Sequence, residues 1–270
     1  MTSTSLQDRL YRTEAIVLSR SEFGEADRIF SVYTPSRGKL RLIAKGVRRP
    51  NSRLGPHLEY FSRCALMLAK GRDLDVVTGA ETIDPHLPLR TDLDAFGHAS
   101  HMAELANRLT EERQESQPLY DLLARSLRLL CDGVDPFAVT RHFELALLGI
   151  LGFRPELYRC VGCDADIEPT ANPLSPRLGG MLCERCRARD ASANVLSING
   201  QKYLRTLDRQ GLTSAVQLRL VPALKQELED ALGTYLRHVT ERELTSLRIW
   251  HQLQAHTATD ETEAHITADQ

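Results

Sequence analysis

The sequence lacks any long apolar segment. No run of apolar residues approaches the ~20 residues that a membrane-spanning helix needs. The first residues, MTSTSLQDRLYR, also lack the apolar stretch of a secretory signal. With 42% hydrophobic and 26% charged residues, the composition is that of an ordinary globular protein. The sequence therefore predicts a cytoplasmic protein that has no contact with a membrane.

The familiar catalytic motifs are missing as well. There is no G-x-x-x-x-G-K-[ST], no G-x-G-x-x-G, no H-E-x-x-H and no nuclease-like cluster of carboxylates. His98 and His101 stand at helical spacing and could be ligands, although we favour a solvated helix face. The chain is therefore predicted not to be an enzyme. A zinc-containing nuclease or thiol oxidoreductase with a basic cleft remains an alternative, as does a scaffold that binds only proteins.

Positive charge is concentrated near the N-terminus of a chain whose formal net charge is -2. Residues 1–85 carry 14 Lys and Arg against 10 Asp and Glu, whereas the remainder carries 20 against 26. No acidic residue lies between Arg28 and Leu58. That segment holds eight basic residues: Arg28, Arg37, Lys39, Arg41, Lys45, Arg48, Arg49 and Arg53. Such a local excess indicates a site for a polyanion.

The same part of the chain has the pattern of a small β-barrel. Five short strand-like runs with turn signals between them lie within residues 11–83. In KLRLIAKGV, apolar Leu40, Leu42 and Ala44 alternate with Lys39, Arg41, Ile43 and Lys45. The number and length of the strands fit a five-stranded Greek-key barrel of the OB type. We therefore predict an α+β protein with an OB-fold β-barrel in residues 1–83.

Helical periodicity follows the barrel. Apolar residues recur on one face of PLYDLLARSLRLL, and Asp135-Pro136 is a helix-start signal for the next segment. We predict a helical C-terminal domain built from residues 84–157 and 191–250. Residues 251–270 contain no Lys, Arg or aromatic residue and are predicted to form a disordered acidic tail.

Four of the six cysteines form two close pairs, Cys160 with Cys163 and Cys183 with Cys186. The spacing C-x2-C-x19-C-x2-C is typical of a structural zinc site, because each pair forms a tight turn that directs two thiolates to one point. We predict one structural Zn²⁺ in a zinc-ribbon-like insertion at residues 158–190. Disulfides and a thioredoxin-like pair fit the sequence less well, and an iron–sulfur cluster remains possible.

The basic segment can be assigned to a surface once the barrel is predicted. OB barrels bind nucleic-acid strands across one face and its loops. Lys39, Arg41 and Lys45 would project from one side of a strand, and Arg48, Arg49 and Arg53 from the following loop. Six contacted phosphates would give a log–log salt slope of about -4 on a single strand. Three aromatic residues lie near enough in sequence to stack on bases, although such residues more often belong to a core: Tyr33, Tyr60 and Phe61.

Several segments together resemble one known family. EAIVLSRSEFGEADRIFSVYTPSRGKLRLIAKGVRRPNSRLGPHLE resembles the N-terminal domain of the RecO family of bacterial DNA repair proteins. RHFELALLGILGFRPELYRCVGC, GGMLCERC and LTSLRIW continue the resemblance in the family's order, from about Tyr11 to Trp250. The elements AKG-x-R-R and FE-x-x-LL-x-x-LG are specific in combination.

The resemblance implies a recombination mediator that acts at the bacterial nucleoid. Such a protein binds single- and double-stranded DNA, anneals complementary strands without ATP and works with RecR, often with RecF. Together they replace single-strand-binding protein (SSB) by RecA at gaps. The family's DNA-binding residues correspond here to Lys39, Arg41, Lys45, Arg48, Arg49 and Arg53. The acidic-hydrophobic tail of SSB is expected in an apolar groove of the helical domain with a basic rim, for which Arg125, Arg128 and Arg141 are candidates.

Overall fold

The computed structural model describes residues 9–240 and begins with a five-stranded sheet. The alternation predicted in the third strand is present, because Leu40, Leu42 and Ala44 are buried while Arg41 is exposed. The strands are β1 (Leu10–Phe23), β2 (Asp27–Thr34), β3 (Gly38–Ala44), β4 (Arg63–Ala69) and β5 (Asp75–Asp84).

The strands follow the cyclic order β1-β2-β3-β5-β4, in which β1 pairs with both β2 and β4. Every pairing is antiparallel except that of β3 with β5, which is parallel and consists of Leu42 opposite Asp75 and Ile43 opposite Val76. This confirms the predicted five-stranded OB-type architecture, with its shortest seam between β3 and β5. The barrel interior is filled by apolar side chains such as Phe30, Val32 and Leu66.

Helices follow, in two groups separated by a small sheet. Asp92 and Asp135 cap the second and fourth helices by accepting hydrogen bonds from Ala95 N and Phe137 N, so the predicted Asp-Pro start is confirmed. The helices are α1 (Pro88–Thr91), α2 (Leu93–Arg108), α3 (Gln117–Cys131), α4 (Pro136–Ile150), α5 (Ile198–Gln210), α6 (Leu212–Ala215) and α7 (Pro222–Thr240). None of the described helices is both long and apolar enough to cross a membrane.

The small sheet between α4 and α5 carries the cysteine pairs. Its strands are β6 (Asn172–Ser175), β7 (Gly180–Met181) and β8 (Asn194–Leu196), in the order β7-β6-β8. Leu174, Met181, Leu182 and Leu196 are buried in the same apolar cluster as the helices. The four-cysteine segment is therefore packed onto the helices.

One apolar core also joins the barrel to the helices. Ile16, Leu18, Tyr33 and Phe61, which belong to the barrel segment, are buried in the cluster that fills the helical domain. The division of the chain at residues 83, 157 and 190 stays a prediction, since barrel, helices and small sheet share this core. The predicted acidic tail and the segment ELTSLRIW lie outside the described residues.

The interpretation of His98 and His101 as a solvated helix face is wrong. His101 is 3% exposed, its Nε2 lies 2.7 Å from Glu144 Oε1, and Arg141 Nη2 donates to the same oxygen at 2.8 Å. His98 Nδ1 lies 2.7 Å from Thr140 Oγ1, and burial lowers the pKa of His98 to about 3. The reason is that α2 packs against β1, α3 and α4 together, so polar residues on more than one side of it are covered.

Candidate nucleic-acid interface and metal centre

The loop that follows β3 is held in place by its own backbone. Arg48 N donates to Ala26 O at 2.9 Å, and Gly46 N donates to Asp27 Oδ1 at 2.7 Å. Buried Val47 anchors the loop in the barrel. Residues 45–53, here called the basic loop, are therefore fixed against the hairpin that joins β1 to β2.

Four of the six predicted nucleic-acid-binding residues lie in the basic loop and are exposed: Lys45, Arg48, Arg49 and Arg53. Among the described residues, no carboxylate lies within 4.0 Å of Lys45, Arg49 or Arg53. Arg48 Nη1 lies 3.3 Å from Glu22 Oε2, and the Glu22 side chain is 64% exposed. Exposed ion pairs of this kind contribute about 0–1 kcal/mol to the stability of the folded protein. A phosphate can therefore replace Glu22 on Arg48 at little cost in free energy.

The other two predicted residues face the helical domain. Lys39 Nζ donates to Asn107 O at 2.6 Å and to Thr110 O at 2.5 Å, at the C-terminal end of α2. Burial lowers the pKa of Lys39. Arg41 Nε lies 3.7 Å from Glu112 Oε1. The absence of acids between residues 28 and 58 could not reveal these partners, because the fold brings them from residues 107–112.

The aromatic residues considered for base stacking are occupied elsewhere. Tyr33 and Phe61 are 0% and 1% exposed, and both belong to the shared core. The Tyr60 ring lies beneath the Arg20 guanidinium, at 4.6 Å from carbon to ring centroid. These three side chains serve the packing of the barrel.

The four paired cysteines converge on one point. The sulfur atoms of Cys160, Cys163, Cys183 and Cys186 all lie within 4.8 Å of one another, and the Cys163 and Cys183 sulfurs are 3.6 Å apart. Tetrahedral zinc with Zn–S bonds of about 2.3 Å separates its sulfur ligands by about 3.8 Å. The geometry confirms that the two pairs form one cluster suited to a metal ion.

Backbone turns around the cysteines prepare one sulfur for a metal. Cys163 N donates to Cys160 O and Cys186 N to Cys183 O, which closes each pair into a tight turn. Burial disfavours the Cys160 thiolate, but N–H donors, led by those of Cys183 and Gly162, outweigh it and lower the pKa of Cys160 to about 6. A thiolate at this position is the form that binds a metal ion.

Glycines allow the turns to approach each other. A Cβ at residue 162 would lie 3.0 Å from Cys186 Sγ, and one at residue 180 would lie 2.6 Å from Glu156 O. Gly179 has φ +80, a conformation that side-chain-bearing residues rarely adopt.

A site closed by four sulfur ligands leaves no position for an activated water, so its role would be structural. The two remaining cysteines lie outside the cluster: Cys64 is 0% exposed, and Cys131 is half-buried.

Two family models match nearly the whole chain. Residues 8–86 match "Recombination protein O N terminal", and residues 90–248 match "Recombination protein O C terminal". The chain belongs to the RecO family.

Curated relatives support the same family. The DNA repair protein RecO of Roseiflexus sp. is 43% identical over 242 residues, which cover 90% of this chain and 85% of the relative. Those of Desulforudis audaxviator and Dehalococcoides mccartyi (strain BAV1) are 39% and 34% identical, and the matches cover 88% of this chain and 94% and 93% of theirs.

In this RecO chain, the helical domain carries a basic depression that the sequence did not reveal. Lys202, Arg205 and Arg209 lie on one face of α5, beside Tyr158 and the exposed side chain of Leu218, around a depression of about 480 Å³. It is here called the α5 groove. The spacing of its basic residues was the only sequence signal, because Tyr158 comes from a distant segment.

The cations of the α5 groove are held without acidic partners. Arg205 donates to Leu157 O at 2.9 and 2.7 Å, and the Arg209 guanidinium carbon lies 3.9 Å from the Tyr158 ring centroid. Within the part of the chain that the structure describes, no carboxylate lies within 4.0 Å of Lys202, Arg205 or Arg209. The groove therefore offers three cations without a directly paired carboxylate beside an apolar surface, while the Tyr158 hydroxyl donates to Asp208 Oδ2 at 3.1 Å.

A second depression, between α4 and α5, is closer to neutral. It measures about 360 Å³ and is lined by His142, Leu145 and Arg154, among others. The Arg154 guanidinium is paired with Asp208, and burial lowers the pKa of His142. Of the arginines considered for the SSB tail, Arg141 is 3% exposed and bound to Glu144, so it cannot form a surface rim.

Proposed function

We propose that this RecO-family protein is a recombination mediator. It binds single- and double-stranded DNA without strong sequence specificity and anneals complementary strands without ATP. With RecR, and with RecF where it takes part, it helps to replace SSB by RecA at gaps in the nucleoid. The observation that carries the proposal is the basic loop, whose four exposed cations are fixed on the rim of an OB-type barrel.

Electrostatics explains how such a surface anneals strands. Two complementary strands repel each other through their phosphates, and cationic side chains neutralise both while raising their local concentration. Base pairing then supplies the free energy, so no nucleotide hydrolysis is needed. Because Lys and Arg contact phosphates without reading bases, binding is not sequence-specific.

We expect charge reversal in the basic loop to abolish annealing. Four contacted phosphates give a log–log salt slope of about -3 on a single strand, smaller than the slope for six contacts. In Arg48→Glu/Arg49→Glu protein, affinity for a single strand should fall about 20-fold or more at 0.1 M salt, because each lost contact removes about 0.7 log unit. Fluorescence anisotropy at several salt concentrations and ATP-free annealing of complementary oligonucleotides, with and without SSB, measure both effects.

The control is Arg125→Glu/Arg237→Glu, which changes the net charge equally at exposed residues of α3 and α7. In the assay without SSB, it should anneal as the unmodified protein does, because Arg125 was considered only for the SSB tail. Equal DNA affinity in both double variants would contradict the proposal and favour a protein-binding scaffold. Metal-dependent cutting of the strands would favour a nuclease.

We further propose that the acidic-hydrophobic tail of SSB binds in the α5 groove. Carboxylates of the tail would face Lys202 and Arg209, and an apolar side chain would cover Leu218, which is 44% exposed. The depression between α4 and α5 fits less well, because its arginine already has an acidic partner.

A peptide with the sequence of the SSB tail tests this assignment. In Lys202→Glu/Arg209→Glu protein, its affinity should fall about tenfold or more, because like charges then face each other. Affinity for DNA should stay unchanged. Loss of peptide binding in Arg154→Gln protein alone would move the site to the depression between α4 and α5.

A further inference from the structure

One aromatic residue of the barrel is left uncovered. Phe23 is 51% exposed and belongs to neither apolar cluster of the molecule. The other five aromatic residues of segment 9–86 are buried or lie beneath an arginine: Tyr11, Phe30, Tyr33, Tyr60 and Phe61. Single exposed apolar residues are ordinary, so the position of Phe23 decides whether it has a role.

Phe23 lies beside the basic loop. It is the last residue of β1 and pairs across the hairpin with Asp27, whose carboxylate accepts from Gly46 N. Two residues further along the basic loop, Arg48 N donates to Ala26 O of the same hairpin at 2.9 Å. These two hydrogen bonds hold the hairpin that carries Phe23 against the backbone of the basic loop.

The hairpin tip also has room for a ligand. Gly24, which follows Phe23, has φ +58, and no described atom lies within 4 Å of the place where its Cβ would stand. Glu22, on the other side of Phe23, is the exposed carboxylate that a phosphate would displace from Arg48. The hairpin therefore presents an exposed aromatic residue beside the basic loop, together with the exposed carboxylates of Glu22 and Glu25.

We propose that Phe23 is a stacking site for an unpaired base of the strand whose phosphates contact the basic loop. This inference rests on the proposed function. Stacking of a base on an aromatic side chain contributes about 1–3 kcal/mol and tolerates any base, since every base has a π-face. In a duplex the bases already stack on each other, so Phe23 adds affinity only for single strands.

Phe23→Ala should lower the affinity for an oligo(dT) single strand about 5- to 150-fold, which is the range that loss of one stacked base predicts. Affinity for a duplex should change less than about twofold, and the salt slope should stay the same, because no phosphate contact is lost. Met67→Ala is the matched control. Met67 is a 41% exposed apolar residue that pairs with Arg12 near the other end of β1, and this variant should bind like the unmodified protein.

Phe23→Trp gives an optical test. Stacking on thymine should quench the added indole fluorescence, which is obtained by subtracting the signal of the unmodified protein with its Trp250. Equal single-strand affinity in Phe23→Ala, an equal loss on duplex, or no quenching would each overturn the stacking site. If the unmodified protein binds no DNA at all, the proposed function fails and the stacking site fails with it.

Discussion

Purified protein should contain about one zinc ion per chain, and Cys160→Ser/Cys163→Ser protein should contain none. The expectation follows from four sulfurs within 4.8 Å of one another, two tight turns and a Cys160 thiol whose pKa is lowered to about 6. Metal analysis of protein purified without added zinc measures the content. Four thiolates in two C-x2-C turns form the tetrahedral donor set that is typical of structural zinc.

Loss of the metal should destabilise the protein strongly. Structural zinc contributes about 10–16 kcal/mol in small peptides, and a ligand at a thousand times its Kd stabilises the folded state by about 4 kcal/mol. Each kcal/mol of lost stability lowers Tm by about 2–4 °C in a protein of this size, so a loss of about 4 kcal/mol should lower Tm by about 10 °C or more. Trypsin should cut the segment between β6 and β8 faster in the double variant, because Arg177, Arg185 and Arg187 are exposed there.

Cys131→Ser provides the control for the cysteine chemistry. Cys131 is half-buried at the end of α3 and does not belong to the sulfur cluster. The zinc content and the Tm of Cys131→Ser protein should remain close to those of the unmodified protein. Protein that carries no metal, or carries iron with visible absorbance, would contradict the zinc assignment.

Gly38→Ala should destabilise the protein by about 2–4 kcal/mol, near the upper end for single substitutions. Gly38 has φ +60, where a residue with a Cβ costs about 1–2 kcal/mol. A Cβ there would also lie 1.8 Å from Gln114 O, so the segment between α2 and α3 must move. That segment holds the barrel through Arg113 N, which donates to Lys39 O at 2.8 Å. Urea unfolding measures the loss.

Gly24→Ala separates the cost of backbone strain at positive φ from the cost of the collision between an added Cβ and Gln114. Gly24 has nearly the same φ, +58, but no described atom lies within 4 Å of its would-be Cβ. It should therefore cost only about 1–2 kcal/mol. Equal destabilisation in the two variants would show that the collision of the added Cβ with Gln114 costs nothing and would contradict this prediction.

The positions of strands, helix starts and cysteine turns could be predicted, because each depends on residues that are close together in the sequence. Alternation in GKLRLIA separates the buried and exposed sides of β3, and Asp135-Pro136 marks the start of α4. Cysteine spacing predicted the sulfur cluster, since a C-x2-C turn is itself local geometry.

Partners supplied by distant segments could not be predicted in this way. Lys39 has the same sequence signature as Lys45, yet its ammonium binds carbonyls of residues 107 and 110. His101 resembles a surface histidine until α4 places Glu144 against it. The sequence does not single out Phe23, because its exposure stands out only once the fold shows which other aromatic residues are buried.

The core shared by barrel, helices and small sheet sets the distance between the two proposed binding surfaces. A protein that held the SSB tail in the α5 groove would keep the basic loop at a constant separation from it. The DNA wrapped by the same SSB would then meet the loop as an intramolecular partner, at a high effective concentration. Weak individual contacts would suffice for capture, and each would be released easily once RecA takes the strand.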